Sequence, residues 1–428
     1  MQQKVVFKSR DLNCSGLFYL PDNYSAAEGK KLPAIAMAHG IGTTKEIGLP
    51  QYAQRFAGAG FAVLLFDFRN LGESEGTPRA QVFAEEQQED YRNAITWLQL
   101  QPQIDPERIG VWGFSFSGGH VLQVAAFDRR VKCVVAQVPA VSGFLVAQRS
   151  NTPLELDGIS TMLSKDRRQR YETGEVNYLP LVAPPEQPCF FPSSEEAREF
   201  FEAAQVASEG RFENRITFES LERLRYFEPA VRIDAISPTP LRMILAKKDS
   251  LVPTDIALAA YARAHEPKSL VFLEGGHLGK SEGDDFETAS AAARDWFVQW
   301  LKPSNVEAFH RPVVDGIPQI SVQELKRKLD AKEDVYVVDV REPHEYNIVN
   351  LGHIVDLGMP LIPVGDIERR ASELAHKKNS EIVIYCKAGV RSQKAALTLK
   401  QAGFTNVLNL TGGILAWAEK IDPSMPKY

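Results

Sequence analysis

Apolar positions along the chain fall into two series of short strand-like segments separated by helical spacings. Lys4 to Lys8 and Leu12 to Leu20 alternate apolar and polar residues across a polar turn at Ser9-Arg10, which predicts an antiparallel opening pair. Lys31 to Ala38, Phe61 to Phe66, Ile109 to Trp112, Val131 to Gln137, Leu241 to Ala246 and Leu270 to Leu273 then read as short apolar strands. Tyr52 to Ala59, stopped by Gly60, and Gln87 to Leu100 carry helical spacing between them. Strands apolar on both faces and alternating with helices predict a parallel sheet covered on each side.

The pattern is interrupted once and restarts once. About 100 residues separate Pro139 from Leu241, far more than an ordinary crossover. Thr161 to Thr173, Ser194 to Ala207 and Phe218 to Tyr226 have helical spacing, so 142–228 is expected to form a helical cap. Phe190, Phe191, Phe200, Phe201 and Phe212 would form its own small core or an apolar lining. Residues 303–318 are proline-dotted and aperiodic, which predicts a linker. Beyond it, Ser321 caps a helix to Leu329, and Val335 to Val340, Glu381 to Tyr385 and Val407 to Leu410 read as strands. A long helix is expected from Arg391 to Ala402. The organisation is therefore a larger α/β domain over 1–302 and a smaller α/β domain over 319–428.

Composition narrows the function classes. A chain of 428 residues suits two domains, and 44% hydrophobic with 24% charged residues is globular usage. A net charge of -6 without a long basic run argues against a nucleic-acid partner. The opening MQQKVVFKSRDL has no apolar leader, and no stretch approaches the roughly 18 apolar residues of a membrane span, so the cytoplasm is the expected compartment. Cys14, Cys133, Cys189 and Cys386 are scattered without C-x-x-C spacing; neither a disulfide framework, a metal site nor a cofactor is expected.

The most informative stretch is Arg108 to Ala126, RIGVWGFSFSGGHVLQVAA. A serine between a strand and a helix, flanked two residues away on each side by small residues, describes a nucleophile elbow. Gly113 and Ser117 must be small because the turn brings backbone against them, and Ser115 would present its hydroxyl above the sheet. The following helix start offers free N–H groups to a developing oxyanion. The alternative is a Gly/Ser-rich turn without chemistry.

HGIG after Lys31 to Ala38, DFRNLGESEG after Phe61 to Phe66 and GFSFSGG after the elbow strand together resemble the α/β-hydrolase fold. The resemblance spans roughly residues 1 to 302 and is nearest the dienelactone-hydrolase and X-prolyl-peptidase-like branch. Two positions depart from it: Ser117 and Ala246 stand where the family usually has glycine. The resemblance implies an acid and then a histidine after late strands. Asp249 in AKKDSLVP and His277 in FLEGGHLG occupy those places. It also implies that Ser115 is the nucleophile, His277 the base and Asp249 its orienting acid. The backbone N–H groups of Phe116 and Ile41 would form the oxyanion hole, with His39 shaping its loop. His39, His120 and His265 compete with His277 for the role of base. The substrate would be a small-molecule ester or thioester.

In the smaller domain, Cys386-Lys387-Ala388-Gly389-Val390-Arg391 places a cysteine between a strand and a helix. Convergent N–H groups, the helix dipole and two cations there favour a sulfur anion. This loop, with DVREPHEY (Asp339 to Tyr346), GHI (Gly352 to Ile354) and LTGGILAW (Leu410 to Trp417), resembles rhodanese-type sulfurtransferases across the whole domain. It is most similar to single rhodanese domains fused to E1-like enzymes, although GHIVDLG replaces the usual GHIPGA. The resemblance implies that Cys386 carries sulfane sulfur as a persulfide, with Asp339 and Arg341 supporting the loop. Thiosulfate or a persulfide would be the donor and a sulfur-carrier protein a candidate partner. The alternatives are a buried structural cysteine, or a non-catalytic relay, sensing or docking module.

Overall fold

The structure is a computed structural model. It describes all residues except 26–28, 30, 193, 279–282, 303–312, 331–332, 352–359, 427–428 and the side chain of Glu196. Contacts divide it into two compact units, one ending after the helix Asp284–Leu301 and one containing everything from Val313 onward.

The first unit is built on an eight-stranded mixed sheet. Its strands are β1 (Gln2–Ser9), β2 (Leu12–Tyr19), β3 (Leu32–Ala38), β4 (Ala62–Phe66), β5 (Ile104–Phe114), β6 (Val131–Gln137), β9 (Leu241–Ala246) and β10 (Lys268–Leu273), in the order β1-β2-β4-β3-β5-β6-β9-β10. The first pair is antiparallel, β2 also runs antiparallel to β4, and every pairing from β4 to β10 is parallel. β3 and β4 are buried at every residue because helices cover both faces, which is why they read as unbroken apolar runs. One face packs on α2 (Ala84–Gln99), α3 (Phe116–Phe127) and α8 (Thr254–Arg263), the other on α1 (Pro50–Gly58) and α9 (Asp284–Leu301), giving two apolar layers. Parallel strands bring the ends of β3, β5, β9 and β10 to one rim.

Among the described residues, 142–228 hold four helices and a two-stranded pairing of β7 (Tyr178–Leu179) with β8 (Ile216–Thr217). The helices are α4 (Gly143–Ser150), α5 (Pro153–Thr173), α6 (Glu195–Ala207) and α7 (Phe218–Leu224). α4 was absent from the sequence expectation, and α5 begins eight residues before the expected Thr161. The reason is physical. α4 buries no residue and α5 buries only Leu163 and Asp166, so neither carries an apolar stripe. α5 instead starts on a capping box, with Thr152 accepting from Glu155 N and a proline in its first turn.

The second unit is a five-stranded sheet. Its strands β11 (Val313–Val314), β12 (Ile317–Ile320), β13 (Val335–Asp339), β14 (Glu381–Tyr385) and β15 (Val407–Leu410) are ordered β11-β12-β15-β14-β13. The expected linker over 303–318 needs correction at its end: 303–312 lie outside the described residues, but β11 and β12 already belong to this sheet. Asp315 and Gly316 form the two-residue turn between them, both at positive φ (47° and 77°). An Asp-Gly pair of this kind matches the right-handed strand twist. Helices Val322–Asp330 and Gly413–Lys420 cover one face through Leu325 and Trp417; Val390–Gln401 covers the other through Ala395 and Leu399.

Candidate functional site

Ser115 joins β5 to α3 at φ 58° and ψ -115°, a conformation that only a firmly held turn sustains in a non-glycine residue. The holding bonds are Ser115 N–H to Gln137 O (2.9 Å) and Ala140 N–H to Ser115 O (3.0 Å). A Cβ on Gly113 would lie 2.2 Å from the Ser117 carbonyl oxygen, so glycine is required there. Ser117 is fully buried, and its hydroxyl accepts from Phe114 N (2.9 Å) and donates to Ala38 O (2.7 Å), tying β5 to β3. Serine at this position is thus a structural tie as well as a small residue.

His277, in the turn after β10, receives the Ser115 hydroxyl at Nε2 over 2.8 Å. Its Nδ1–H donates to Asp249 Oδ2 at 2.7 Å; a carboxylate can only accept, which fixes the tautomer. The other Asp249 oxygen accepts from Leu251 N (3.0 Å) and Val252 N (2.7 Å) in the turn after β9. These two turns are joined by Lys248 N–H to Gly275 O (3.0 Å). Asp285, on α9, accepts from Glu274 N (3.0 Å) and Gly275 N (2.8 Å), supporting the histidine turn from behind. The competing histidines stand apart: His265 is exposed, and His120 donates Nε2–H to Gln87 Oε1 (3.0 Å) among Phe68, Phe116 and Phe227. Burial pushes His120 down to about 3, so it is neutral.

Phe116 opens α3, so its N–H belongs to the helix start. Ile41 lies in the loop after β3, where Gly40 is in contact range of Ser115: a Cβ on Gly40 would meet Ser115 Cβ at 3.4 Å. Gly40 O accepts from His39 Nδ1 (2.9 Å) and Thr43 Oγ1 (3.1 Å). The peptide is planar and trans, so pinning that carbonyl also fixes the opposite direction of the Ile41 N–H. His39 Nε2 accepts from Phe68 N (3.4 Å), and burial lowers the His39 pKa. A narrow cleft opens on Ser115 and His277, lined by Ile41, Ile47, Leu49, Phe114, Phe191, Phe200, Phe201 and Leu278. The cap aromatics serve both expected purposes: Phe201 stacks on buried Phe212 (5.6 Å) while also facing the cleft.

In the second unit Cys386 directly follows the strand β14 and is buried. Its sulfur accepts from Gly389 N (3.1 Å) and from the hydroxyl of fully buried Ser392 (3.3 Å). The carbonyls of Cys386 and Lys387 accept from Ile414 N (2.9 Å) and Leu415 N (3.1 Å) of the LTGGILAW helix. Peptide planarity then turns the N–H groups of Lys387 and Ala388 the other way. Gly389 takes φ 94°, the left-handed region that favours glycine, and Val390 is exposed. Arg391 grips Glu345 in a two-pronged ion pair (2.5 and 2.7 Å), which holds the Glu345 carboxyl down at about 2. Its cation is therefore shared with a carboxylate, an arrangement the sequence reading missed along with Ser392. Asp339 and Arg341 pair with each other (2.6 Å), both fully buried, and Arg341 also donates to Val349 O (2.8 Å). The GHI stretch lies outside the described residues.

Burial pushes the thiols of Cys14 and Cys133 upward, whereas the half-buried Cys189 donates to Phe191 O (3.1 Å). Among the described residues no cluster of three or more His, Cys, Asp or Glu is placed to hold a metal ion, and no helix is long and apolar enough to cross a membrane.

Comparison with known proteins bears on the fold and the family. Residues 17–176 match the family model described as X-Pro dipeptidyl-peptidase (S15 family), and residues 321–420 match that of the rhodanese-like domain. Thiohydrolase aneE of Aspergillus aculeatus is 32% identical over 60% of this chain and 81% of its own length. The quorum-quenching protein AidA of Acinetobacter baumannii is 32% identical over 66% of this chain and 90% of its own. The crystal structure of the α/β hydrolase GrgF from Penicillium sp. superposes with a TM-score of 0.60 at 28% identity, covering 70% of this chain and 99% of that one. The chain belongs to the α/β-hydrolase family and carries a rhodanese-like domain in addition.

Proposed function

We propose that the first unit is a serine hydrolase of small-molecule esters or thioesters. The observation that carries this is the unbroken chain Ser115 Oγ to His277 Nε2 to Asp249, at 2.8 and 2.7 Å, in a cleft with an apolar lining. Ser115 Oγ attacks the substrate carbonyl carbon while His277 Nε2 takes its proton. The carbonyl oxygen becomes an oxyanion received by the N–H groups of Phe116 and Ile41. Collapse expels the alcohol or thiol, protonated by His277, and leaves an acyl-Ser115. Water then attacks with the same base and frees the acid. Asp249 keeps Nδ1 protonated and stabilises the imidazolium throughout. The thiohydrolase name of a relative favours the thioester arm. A panel of p-nitrophenyl esters and acyl thioesters, with fluorophosphonate labelling, tests the reading. Turnover and labelling should vanish in Ser115→Ala; labelling that persists there refutes the nucleophile.

For the second unit, the sulfur held by Gly389 N and Ser392 Oγ favours sulfane-sulfur transfer. The Cys386 thiolate attacks the outer sulfur of thiosulfate, forming Cys386–S–S⁻ and releasing sulfite. An acceptor thiolate or cyanide then removes that sulfur and restores the thiolate. Thiocyanate formation lost in Cys386→Ser supports transfer. Its absence from the native protein supports the relay, sensing or docking role.

A further inference from the structure

Behind the loop that carries Ile41 lies a cluster of buried charge. Lys45 is fully buried; its ammonium donates to Asp67 Oδ2 (2.6 Å) and Glu73 Oε2 (2.9 Å) and lies 3.0 Å from Glu46 Oε1. Lys45 N–H also donates to Asp67 Oδ1 (2.7 Å). One ammonium facing three carboxylates leaves a negative excess, and two further cations answer it. Lys4 reaches Glu73 from the exposed side of β1 (3.0 Å). The other, Arg211, comes from the cap, with Nε 3.4 Å from Glu46 Oε1 and Nη1 3.9 Å from Glu73 Oε1, while Nη1 also donates to Glu209 Oε2 within the cap (3.0 Å). Glu46 Oε2 and Arg211 Nε are buried without a hydrogen-bond partner, so this cap contact acts through charge more than through directed bonds.

Each end of the cluster reaches the cleft. Arg211 immediately precedes Phe212, which stacks on Phe201, and Phe201 meets Phe191 (5.3 Å); Phe191 and Phe201 both line the cleft. At the other end, Asp67 precedes Phe68, whose N–H donates to His39, and His39 pins the Gly40 carbonyl that aims the Ile41 N–H. The cap also rests directly on this loop, since a Cβ on Gly42 would meet Leu181 at 2.8 Å.

We propose that Arg211 is a positioning residue that couples seating of the cap to the aim of the Ile41 N–H. The proposal rests on the assignment of Ser115 and Ile41 above. Without Arg211 the carboxylates Glu46 and Glu73 lose the cation the cap brings, and the aromatic wall and the loop lose their common anchor. Coupling of this kind is worth on the order of ten-fold.

The test compares Arg211→Met and Arg211→Lys in the full chain, reading kcat and KM on a p-nitrophenyl ester and backbone amide exchange over 40–46 and 195–212. Arg211→Met should lower kcat on the order of ten-fold with little change in KM, and speed exchange in both segments. Arg211→Lys should recover most of the rate and protection, because the contact needs charge. Exchange that rises in the cap alone, an unchanged kcat, or a lysine variant no better than methionine overturns the proposal. Coupled exchange in a protein without esterase turnover upholds the coupling and overturns the hydrolytic reading instead.

Discussion

The usual nucleophile elbow has glycine two residues after the serine, yet Ser117→Gly should weaken this protein. The Ser117 hydroxyl accepts from Phe114 N–H and donates to Ala38 O inside the sheet, at a fully buried position. The nearby Tyr91 hydroxyl already donates to Trp112 O (2.9 Å), so it is not free to replace both bonds. Orphaning a buried polar group costs about 1–3 kcal/mol, and Phe114 is only part-buried, so Ser117→Ala should lose about 2–4 kcal/mol. Glycine in the first helical turn adds about 0.5–1 kcal/mol through backbone entropy. At roughly 2 °C per kcal/mol for a domain of this size, the expected drops are about 4–8 °C for alanine and 5–10 °C for glycine. Differential scanning calorimetry of the full chain reads this, since only the transition of the first unit should move. A glycine variant as stable as the parent would refute the claim that this hydroxyl ties β5 to β3.

Two further outcomes follow from the charged and sulfur sites. Ser392→Ala removes a buried donor to the Cys386 sulfur and should slow thiocyanate formation on the order of ten-fold, as expected for a hydrogen bond to a charged acceptor; an unchanged rate removes Ser392 from the site. Against the burial that would raise it, the bonds from Lys45 and Lys4 hold the Glu73 carboxyl at about 2, below its ordinary 4.5. The folded state then binds fewer protons, so this stabilisation is complete above about pH 4.5 and is lost as pH falls toward 2. Acid unfolding of Glu73→Gln should show a shallower loss in that window, and an identical acid profile counts against the buried cluster.

What the sequence reveals depends on whether a signal is local. Ser115, Asp249 and His277 are legible because each follows a short apolar strand, and parallel strands must deliver their ends to one rim. The core strands are legible because burial on both faces leaves no polar alternation. α4 and the first half of α5 are not, since they bury almost nothing and so imprint no period; only the Thr152–Glu155 box marks the start. The strands β11 and β12 were readable in Val-Val-Asp-Gly-Ile, where an Asp-Gly pair signals a hairpin more strongly than nearby prolines signal a linker. The charged partners around the two candidate sites are harder. Lys45 meets Asp67 and Glu73 across 22 and 28 residues, and Arg391 meets Glu345 across 46. No periodicity records such pairings, because they arise only when separate strand ends converge.

The cysteines of the first unit bear on the sulfur transfer proposed for the second. Cys14 and Cys133 are sealed in the core and kept protonated by their surroundings, so neither offers a nucleophile to a persulfide, a polysulfide or a peroxide. Cys189, half-buried, is the one thiol there within reach of such an oxidant. Were the second unit to carry sulfane sulfur as proposed, thiolation of the larger half would therefore be confined to Cys189.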